Sequence, residues 1–385
     1  MNTLFIHTDL NALGGAEQYV RDVIYGWTAS ANTATLFTMS GRTDPICGAA
    51  VTVLEPRASL AQRVVRRAFR QVGLGARLPA WYGRRVLSQL DHSVNIVVCG
   101  HLNVLPVSAH VARALQVPLV LVTYGIDIWR LWSEVEVHLL QQCHKIVALS
   151  RYTQDSIVRR LGTSVQTKVI HPGVDTTFFT SAPLPNESAM PRLLTVARLD
   201  GNERYKGHDI VLGAVRRLKE SGLHVAYDIV GDGSDRPRLE SLASRMGIRD
   251  RVFFHGAAKG DALRSHYHSC TLFVMPSYVT VRDDGRWTGE GFGIVYAEAG
   301  ACGRAAIGCD VGGQTDIIED RVTGRLVPPN EFVVADAIME LIRRPALNRV
   351  YAAAAERRVR ESFGYCGFHA QWNELILETA ASQRG

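Results

Sequence analysis

Residues 290–298 read Glu-Gly-Phe-Gly-Ile-Val-Tyr-Ala-Glu, a glycine-bounded turn that leads into an apolar helical run. A turn that opens a helix leaves free backbone N–H groups and the positive end of the helix dipole directed outward. Such a helix start suits a phosphate or a sugar hydroxyl. Glu290 precedes the helix and Glu298 lies about two turns into it, so the two carboxylates can hold different parts of one ligand. Taken alone, the segment is explained equally well as a strand–turn–helix connection with two solvated glutamates.

Outward from this segment, short apolar runs alternate with helical patterns along the 385 residues. The alternation occurs twice and predicts parallel sheets with helices on both faces. Two domains are expected, because single hydrophobic cores stop growing at roughly 250–300 residues. The stretch 180–192 is rich in Pro, Ser and Ala, lacks periodicity and is the predicted linker. The predicted strands are 3–8, 33–38, 94–99, 119–123, 145–149, 168–170, 193–196, 225–230, 252–254, 272–275, 305–308 and 324–327.

The composition, 46% hydrophobic and 21% charged, is that of a soluble globular protein. No apolar run reaches the ~20 residues of a membrane-spanning helix. The first seven residues lack the basic region of a signal peptide and are predicted to form a strand. The seven cysteines are scattered, without a Cys-x-x-Cys motif or a Cys/His cluster, which predicts reduced thiols, no zinc site and a cytoplasmic location.

The net charge of +6 is unevenly distributed. From Arg57 to Arg85 the chain carries eight arginines and no acidic residue, with apolar residues at helical spacing and the aromatic pair Trp81 and Tyr82. This pattern predicts contact with an anionic membrane surface or with an anionic acceptor, and a solvated helix face is the alternative. Nucleic acid is not an expected partner, because no nucleic-acid-binding motif accompanies the arginines.

Other segments that follow predicted strands have the composition of ligand-binding loops. Residues 11–17 carry Gly14 and Gly15 at the start of a helix, where the backbone can approach a phosphate closely. Residues 197–207 place Arg198 at a strand end and Lys206 before a helix, and two such cations can hold a diphosphate and stabilise it as it leaves. Residues 230–233 and 309–316 are glycine-containing turns, and each of these segments is also explained by an ordinary surface loop. The chain contains no Asp-x-Asp motif, so a divalent ion held by paired aspartates is not expected.

In order and spacing, these segments resemble the retaining glycosyltransferase family 4 over nearly the whole chain. The resemblance implies an α/β fold of GT-B architecture, with two Rossmann-like domains facing across a cleft. It implies an N-terminal acceptor-binding domain, 1–182, a C-terminal nucleotide-sugar-binding domain, 190–360, and a C-terminal helix in 361–385 that crosses back to the N-terminal domain. The stretch 288–299 is especially similar to the bacterial phosphatidylinositol mannosyltransferases and related cell-envelope enzymes.

The resemblance also implies roles for individual residues. Arg198 and Lys206 are expected to bind the donor diphosphate, and Glu290 is expected to bind the hydroxyls of the sugar; these three form the expected catalytic set. Glu298 is expected to hold the ribose hydroxyls. The remaining expected donor contacts are Gly15, Gly231, Phe292, Gly293 and Ile294.

One position departs from the pattern of the family. Members usually carry a histidine after the fourth or fifth N-terminal strand, where residues 122–127 here read Val-Thr-Tyr-Gly-Ile-Asp. Tyr124 takes that place, and a phenol can donate a hydrogen bond to a sugar but is a poor base at about pH 7. His101, Asp127 and Glu17 are the other candidates for contact with the acceptor or the sugar.

The implied reaction moves a hexose, with mannose favoured, from a nucleotide sugar to a hydroxyl of a lipid-linked or glycan acceptor. Retention at the anomeric carbon is expected, with no metal and no cofactor. GDP-mannose is the favoured donor, and transfer of glucose, galactose or an N-acetylhexosamine from a UDP-hexose is the alternative. The expected setting is synthesis of envelope polysaccharide or lipopolysaccharide, peripheral at the inner face of the cytoplasmic membrane. The other interpretations of the sequence are an epimerase, a phosphorylase-like enzyme and a non-catalytic, membrane-associated sugar-nucleotide-binding protein.

Overall fold

The computed structural model describes residues 1–10, 14–39, 41, 46–54, 78–90, 93–162, 165–186, 190–282 and 285–382. By contact, the chain forms two units. The first comprises Met1–Leu149, Thr153–Gly173 and Phe368–Gly385, and the second comprises Ser150–Tyr152 and Val174–Gly367. Of the predicted basic segment, Arg84 and Arg85 are described, at the end of a helix. The part from Arg57 to Arg77 lies outside the described residues, as do residues 11–13.

The first unit is built on a seven-stranded parallel sheet. Its strands are β1 (Asn2–His7), β2 (Thr33–Thr38), β3 (Ala50–Val53), β4 (Ile96–Cys99), β5 (Leu119–Thr123), β6 (Lys145–Ala148) and β7 (Thr167–Val169). The strand order is β3-β2-β1-β4-β5-β6-β7, which is the order of a Rossmann sheet with one further strand at the β7 edge. The central strands are buried throughout, as parallel strands covered by helices on both faces must be.

The second unit repeats this plan with a six-stranded parallel sheet. Its strands are β8 (Arg192–Val196), β9 (Ala226–Val230), β10 (Val252–Gly256), β11 (Leu272–Val274), β14 (Ala306–Cys309) and β15 (Gly324–Val327). The order in the sheet is β10-β9-β8-β11-β14-β15. Between the fourth and fifth of these strands along the chain, β12 (Thr280–Val281) and β13 (Trp287–Thr288) form a separate antiparallel hairpin.

The helices follow the strands in the alternation that the sequence predicts. They are α1 (Gly15–Ala29), α2 (Leu78–Leu87), α3 (Leu105–Leu115), α4 (Glu134–Gln141), α5 (Arg151–Leu161), α6 (His208–Glu220), α7 (Arg236–Arg245), α8 (Gly260–Ser269), α9 (Ile294–Ala301), α10 (Glu331–Arg343), α11 (Pro345–Ser362) and α12 (Tyr365–Ala381). Among the described helices, none combines the length and the apolar composition needed to cross a membrane. All seven cysteines are free thiols.

The last helix, α12, belongs from Phe368 onward to the first unit. Its Trp372 side chain donates a hydrogen bond from Nε1 to the hydroxyl of Tyr19 at 3.0 Å. That hydroxyl in turn donates to the carbonyl of Ile170 at 2.9 Å. The rings of Phe368 and Trp372 both pack edge-on against Tyr19. A buried phenol with its hydrogen bonds satisfied therefore joins α1 and α12 within one core.

The predicted strands lie within one or two residues of those observed, whereas three short strands were not predicted. β3 is an edge strand of four residues, only one of which is buried. β12 and β13 have two residues each, too few to show an alternating pattern. The stretch 180–192 was predicted to be a linker between domains, but contact groups its residues with the second unit.

Arg304 explains why residues 181–183 pack within the second unit. Its side chain is fully buried. The guanidinium donates to five backbone carbonyls, those of Tyr267, His268, Gly303, Ala182 and Pro183. A guanidinium has five N–H donors, so all of them are used. The buried guanidinium thereby links residues 182 and 183 to α8 and to the loop after α9.

We expect Arg304→Met to destabilise the second unit by about 3 kcal/mol or more, because it leaves several buried carbonyls without donors. Urea denaturation measures the change. The matched control is Arg344→Met, which removes an arginine whose side chain is 64% exposed and whose ion pair among the described residues is a surface pair with Glu340. Equal denaturation midpoints for the two variants would contradict the role given to Arg304.

Candidate functional site

In the second unit, the loops that follow β8 and β9 are in direct backbone contact. The Ala197 amide donates to the Val230 carbonyl at 3.0 Å, and the Leu199 amide donates to the Asp232 carbonyl at 3.0 Å. Gly231 has a φ of +145°, and a Cβ there would lie 1.8 Å from the Ala197 oxygen. Only glycine fits this position, so the predicted segments 197–207 and 230–233 form one surface at the carboxyl edge of the sheet.

Lys206 and Glu290 form an ion pair at this edge, with 2.7 Å between Nζ and Oε2. Their side chains are only 15% and 11% exposed. Burial by itself lowers the pKa of Lys206, but the carboxylate of Glu290 outweighs it and the net pKa is raised. The ammonium is therefore charged at neutral pH. Lys206 and Glu290 are 84 positions apart in the sequence, and the fold brings these two expected site residues into contact.

Arg198, the second expected cation, is bound to Glu203 in the same loop. Its side chain is 71% exposed, so its charge is accessible to a ligand. Between the two cations lies Tyr205, whose ring centroid is 5.2 Å from the Lys206 ammonium. Burial, opposed by Lys206, raises the pKa of Tyr205 to about 12, so that the phenol remains a neutral donor. Glu203 and Tyr205 were not singled out from the sequence, although both lie in the segment that was.

The turn after Glu290 is fixed by the backbone of a second loop. The Glu290 carbonyl accepts a hydrogen bond from the Gly313 amide at 2.8 Å, and a Cβ on Gly313 would lie 2.2 Å from the Gly291 oxygen. Gly293 has a φ of +87° and precedes α9, which begins at Ile294. The Phe292 ring is buried, with its centroid 5.8 Å from that of Phe363. The side chain of Phe292 is thus committed to the core, and only its backbone is available to a ligand.

Glu298 lies further along α9, and its Oε2 accepts a hydrogen bond from the Tyr267 hydroxyl at 2.7 Å. Burial raises the pKa of Glu298, and this hydrogen bond opposes the shift. Tyr267 orients the carboxylate and leaves its other oxygen to a different partner. Tyr267 could not have been found from the sequence, because a single aromatic residue in an amphipathic helix is typical of a core position.

In the first unit, Tyr124 follows β5 and is oriented inward. Its hydroxyl donates to the Gly100 carbonyl at 2.7 Å, and burial raises the pKa of the phenol well above its usual value. The ring stacks on that of His101, with centroids 5.9 Å apart. The Tyr124 hydroxyl is thus bonded to the backbone, and the Tyr124 ring packs against His101.

Two further polar groups, His101 and Asp127, lie at the same edge. His101 Nδ1 accepts a hydrogen bond from the Asn103 amide at 3.0 Å, so the neutral ring carries its proton on Nε2. Asp127 Oδ1 accepts from the Tyr124 amide at 2.9 Å. Its Oδ2 is buried and has no hydrogen-bond partner among the described residues. Burial raises the pKa of Asp127, and His101 opposes the shift.

Gly15 and Glu17 lie in the first turn of α1. A Cβ on Gly15 would meet no atom of the described residues within 4 Å. The Glu17 carboxylate lies over Gly14, where a Cβ would be 2.2 Å from Oε2. Within the part of the chain that the structure describes, no group of three or more His, Cys, Asp or Glu side chains is arranged to hold a metal ion.

Two family profiles match the chain in succession. Residues 13–178 match "Glycosyltransferase Family 4", and residues 180–358 match "Glycosyl transferases group 1". The change from one profile to the other falls between the two sheets.

Curated relatives carry related names. A D-inositol 3-phosphate glycosyltransferase of Streptomyces bingchenggensis is 30% identical over 269 residues, which is 64% of this chain and 53% of the relative. A GDP-mannose-dependent alpha-(1-6)-phosphatidylinositol monomannoside mannosyltransferase of Mycobacterium tuberculosis is 29% identical over 246 residues, which is 62% of this chain and 61% of the relative. The chain spans about half the length of the first curated relatives that it matches.

Solved structures share the fold over nearly the whole chain. The sucrose-phosphate synthase of Thermosynechococcus elongatus superposes with a TM-score of 0.77 at 22% identity, covering 99% of each chain. Anabaena Alr3699/HepE in complex with UDP-glucose superposes with a TM-score of 0.74 at 20% identity, covering 98% of this chain and 100% of that one.

The two profiles and the shared fold confirm the family and the fold class that the sequence predicts. The protein belongs to glycosyltransferase family 4 and has the GT-B fold, with two Rossmann-like α/β domains.

Proposed function

We propose that the protein is a retaining hexosyltransferase that takes its sugar from a nucleotide sugar. The observation that carries the proposal is the Lys206–Glu290 ion pair, which lies at the carboxyl edge of the second sheet together with the exposed charge of Arg198. Cations suit the diphosphate of a donor, and a carboxylate suits the hydroxyls of its sugar. Ligands of open α/β sheets bind at this edge.

The ion pair separates when the donor binds, and both charges find new partners. The diphosphate pairs with Lys206 and Arg198, and the sugar hydroxyls donate hydrogen bonds to Glu290. Separating a buried ion pair is costly unless each ion is paired again, so the site favours a ligand that offers both an anion and hydroxyls. A nucleoside diphosphate that lacks the hexose offers no hexose hydroxyl to Glu290.

Transfer breaks the bond between the anomeric carbon and the diphosphate oxygen and forms a bond to the acceptor oxygen. In our proposal, the leaving diphosphate accepts the proton of the acceptor hydroxyl, so both events occur on one face of the sugar and the configuration is retained. Lys206 and Arg198 stabilise the negative charge that develops on the leaving group. No metal and no cofactor takes part in this route.

The remaining donor contacts are assigned by analogy with the family. Glu298, oriented by Tyr267, holds the ribose hydroxyls. The loop at Gly231 and the backbone from Phe292 to Ile294 lie against the nucleotide and the sugar phosphate. We assign the donor to the second unit and the acceptor to the first. The expected contacts of Gly15 with the donor and of Glu17 with sugar or acceptor stay predictions.

We further propose that His101 and Asp127 make the contact that a histidine at position 124 makes in other members of the family. The Nε2 proton of His101 and the unpaired Oδ2 of Asp127 are available, whereas the Tyr124 hydroxyl is held by Gly100. A hydrogen-bond donor beside a hydrogen-bond acceptor suits a substrate hydroxyl, because a hydroxyl both donates and accepts hydrogen bonds.

GDP-mannose is the donor that the relatives favour, since several are named as GDP-mannose-dependent mannosyltransferases. A UDP-hexose is the second candidate, because neighbouring structures are described in complex with UDP and UDP-glucose. We propose a lipid-linked or glycan acceptor in envelope polysaccharide or lipopolysaccharide synthesis. Peripheral attachment to the cytoplasmic face of the membrane through the segment from Arg57 to Arg85 stays a prediction.

Lys206→Met and Glu290→Gln are each expected to lower kcat about 10²–10³-fold, the usual effect of removing one group that stabilises the transition state. Turnover is measured with GDP-mannose and UDP-hexoses against lipid and glycan acceptors. The double variant, which leaves no unpaired buried charge, separates loss of function from loss of stability. Arg216→Gln is the control, since Arg216 forms only an exposed pair with Glu220. Near-native turnover in either single variant would overturn the proposal.

Tyr124→Phe is expected to retain transfer, because the hydroxyl it removes only binds the Gly100 carbonyl. His101→Ala is expected to lower kcat/KM by about tenfold or more, as loss of a hydrogen bond to the reacting substrate does. Steady-state kinetics on both variants measures the difference. The assignment fails if Tyr124→Phe loses activity while His101→Ala keeps it.

A further inference from the structure

A cavity of 390 Å³ lies in the second unit beside the Lys206–Glu290 pair, between the Arg204–Lys206 turn and the β12–β13 hairpin. Its walls offer guanidinium, phenol and hydroxyl groups and the amide of Asn202, and none of the described residues that line it carries a carboxylate. These groups come from Arg204, Arg282, Tyr205, Tyr278, Thr280 and Thr288. A cavity with many hydrogen-bond donors and no carboxylate suits an anion.

Arg282 is positioned by a hydrogen bond. Its guanidinium donates to the side-chain oxygen of Asn202 at 2.8 Å, which fixes its position. Within the described part of the chain, Arg282 forms no ion pair. The residue is exposed and follows β12 directly, so the hairpin brings a guanidinium to the cavity wall.

Arg204 belongs to a network of two guanidiniums and two carboxylates, and its side chain remains half-exposed. Its Nε lies 3.3 Å from Asp235 Oδ1. Arg238 donates to both oxygens of the same carboxylate, at 2.7 and 2.6 Å. Arg238 also donates to both oxygens of Asp209, at 2.9 and 3.1 Å, so two guanidiniums face two carboxylates. The Arg204 side chain is nevertheless 53% exposed, so it can also contact a ligand.

Two residues that line the cavity, Tyr205 and Thr288, lie next to the expected donor-binding residues along the chain. The Lys206 ammonium lies over the Tyr205 ring, and the Tyr205 carbonyl accepts a hydrogen bond from the Tyr278 amide at 2.9 Å. Thr288 is two residues before Glu290. A group bound in the cavity is therefore adjacent to a sugar held by Glu290.

We propose that this cavity binds a phosphate or carboxylate group of a substrate, through the guanidiniums of Arg282 and Arg204. The inference rests on the proposed transferase function and adds a specificity site to it. The anionic group belongs either to the transferred sugar or to the acceptor. In both cases, two arginines in reach of one oxyanion select a charged substrate over its neutral analogue.

Inorganic phosphate is the first probe, titrated calorimetrically into the full chain. Arg282→Gln and Arg204→Gln are each expected to weaken binding by about tenfold, the effect of losing one charge-assisted hydrogen bond. Because phosphate can also bind Lys206, the titration is repeated in Lys206→Met, where binding at the cavity persists. Arg216→Gln is the control for loss of one positive charge.

The inference is overturned if phosphate binding is lost in Lys206→Met and unchanged in both cavity variants, since the phosphate would then occupy only the diphosphate site. The Arg282 side chain is exposed, and among the described residues it donates to Asn202, so its substitution is not expected to threaten folding. Nucleotide binding that is unaltered in Arg282→Gln shows that the donor site is intact, which separates failure of this inference from failure of the proposed function.

The source of the anion is distinguished by competition. If the transferred sugar carries it, UDP- or GDP-linked uronic acids bind more tightly than the corresponding hexose forms, and Arg282→Gln abolishes the preference. If the acceptor carries it, phosphate still binds the protein saturated with nucleotide hexose. Either result supports the site. Absence of both, together with unchanged phosphate binding in the cavity variants, refutes it.

Discussion

The ion pair between Lys206 and Glu290 is the interaction on which the account depends. Burying two charges costs more free energy than their attraction usually returns, so a pair with side chains about one-tenth exposed is a weak source of stability. Its value is that it holds a cation and a carboxylate 2.7 Å apart in the position where a donor needs one of each. A ligand that satisfies both charges can replace the internal pair, whereas water or a simple anion satisfies them incompletely.

The pair in turn depends on backbone contacts that exclude side chains. Gly207 has a φ of +82°, and a Cβ there would lie 2.4 Å from the Pro276 oxygen, which fixes the loop that presents Lys206. Gly313 packs on the backbone of Gly291 and fixes the turn that presents Glu290. The two presenting loops come from different strands of the second sheet, so the parallel topology brings the charges together. The same topology in the first unit brings His101 and Asp127 to one edge.

The sequence predicts the fold and family because its signals are local: apolar runs, helical periodicity, and glycines beside strand ends. It also identifies Lys206, Glu290 and Arg198, which stand in such segments. It does not reveal that the Tyr124 hydroxyl is used by Gly100, because that bond joins residues 24 positions apart. For the same reason Tyr267, the partner of Glu298, was missed. The hairpin that carries Arg282 has strands of two residues, below the length at which a pattern is visible.

The most direct test of the central claim is calorimetric titration of UDP and GDP, and of their hexose forms, into the wild-type protein and Glu290→Gln. The account predicts that one of the two nucleotides binds both proteins, with or without EDTA. It predicts that the hexose adds affinity only in the wild type, because Glu290 is the group that holds it. The account is contradicted if neither nucleotide binds, or if the hexose contributes equally to binding in both proteins.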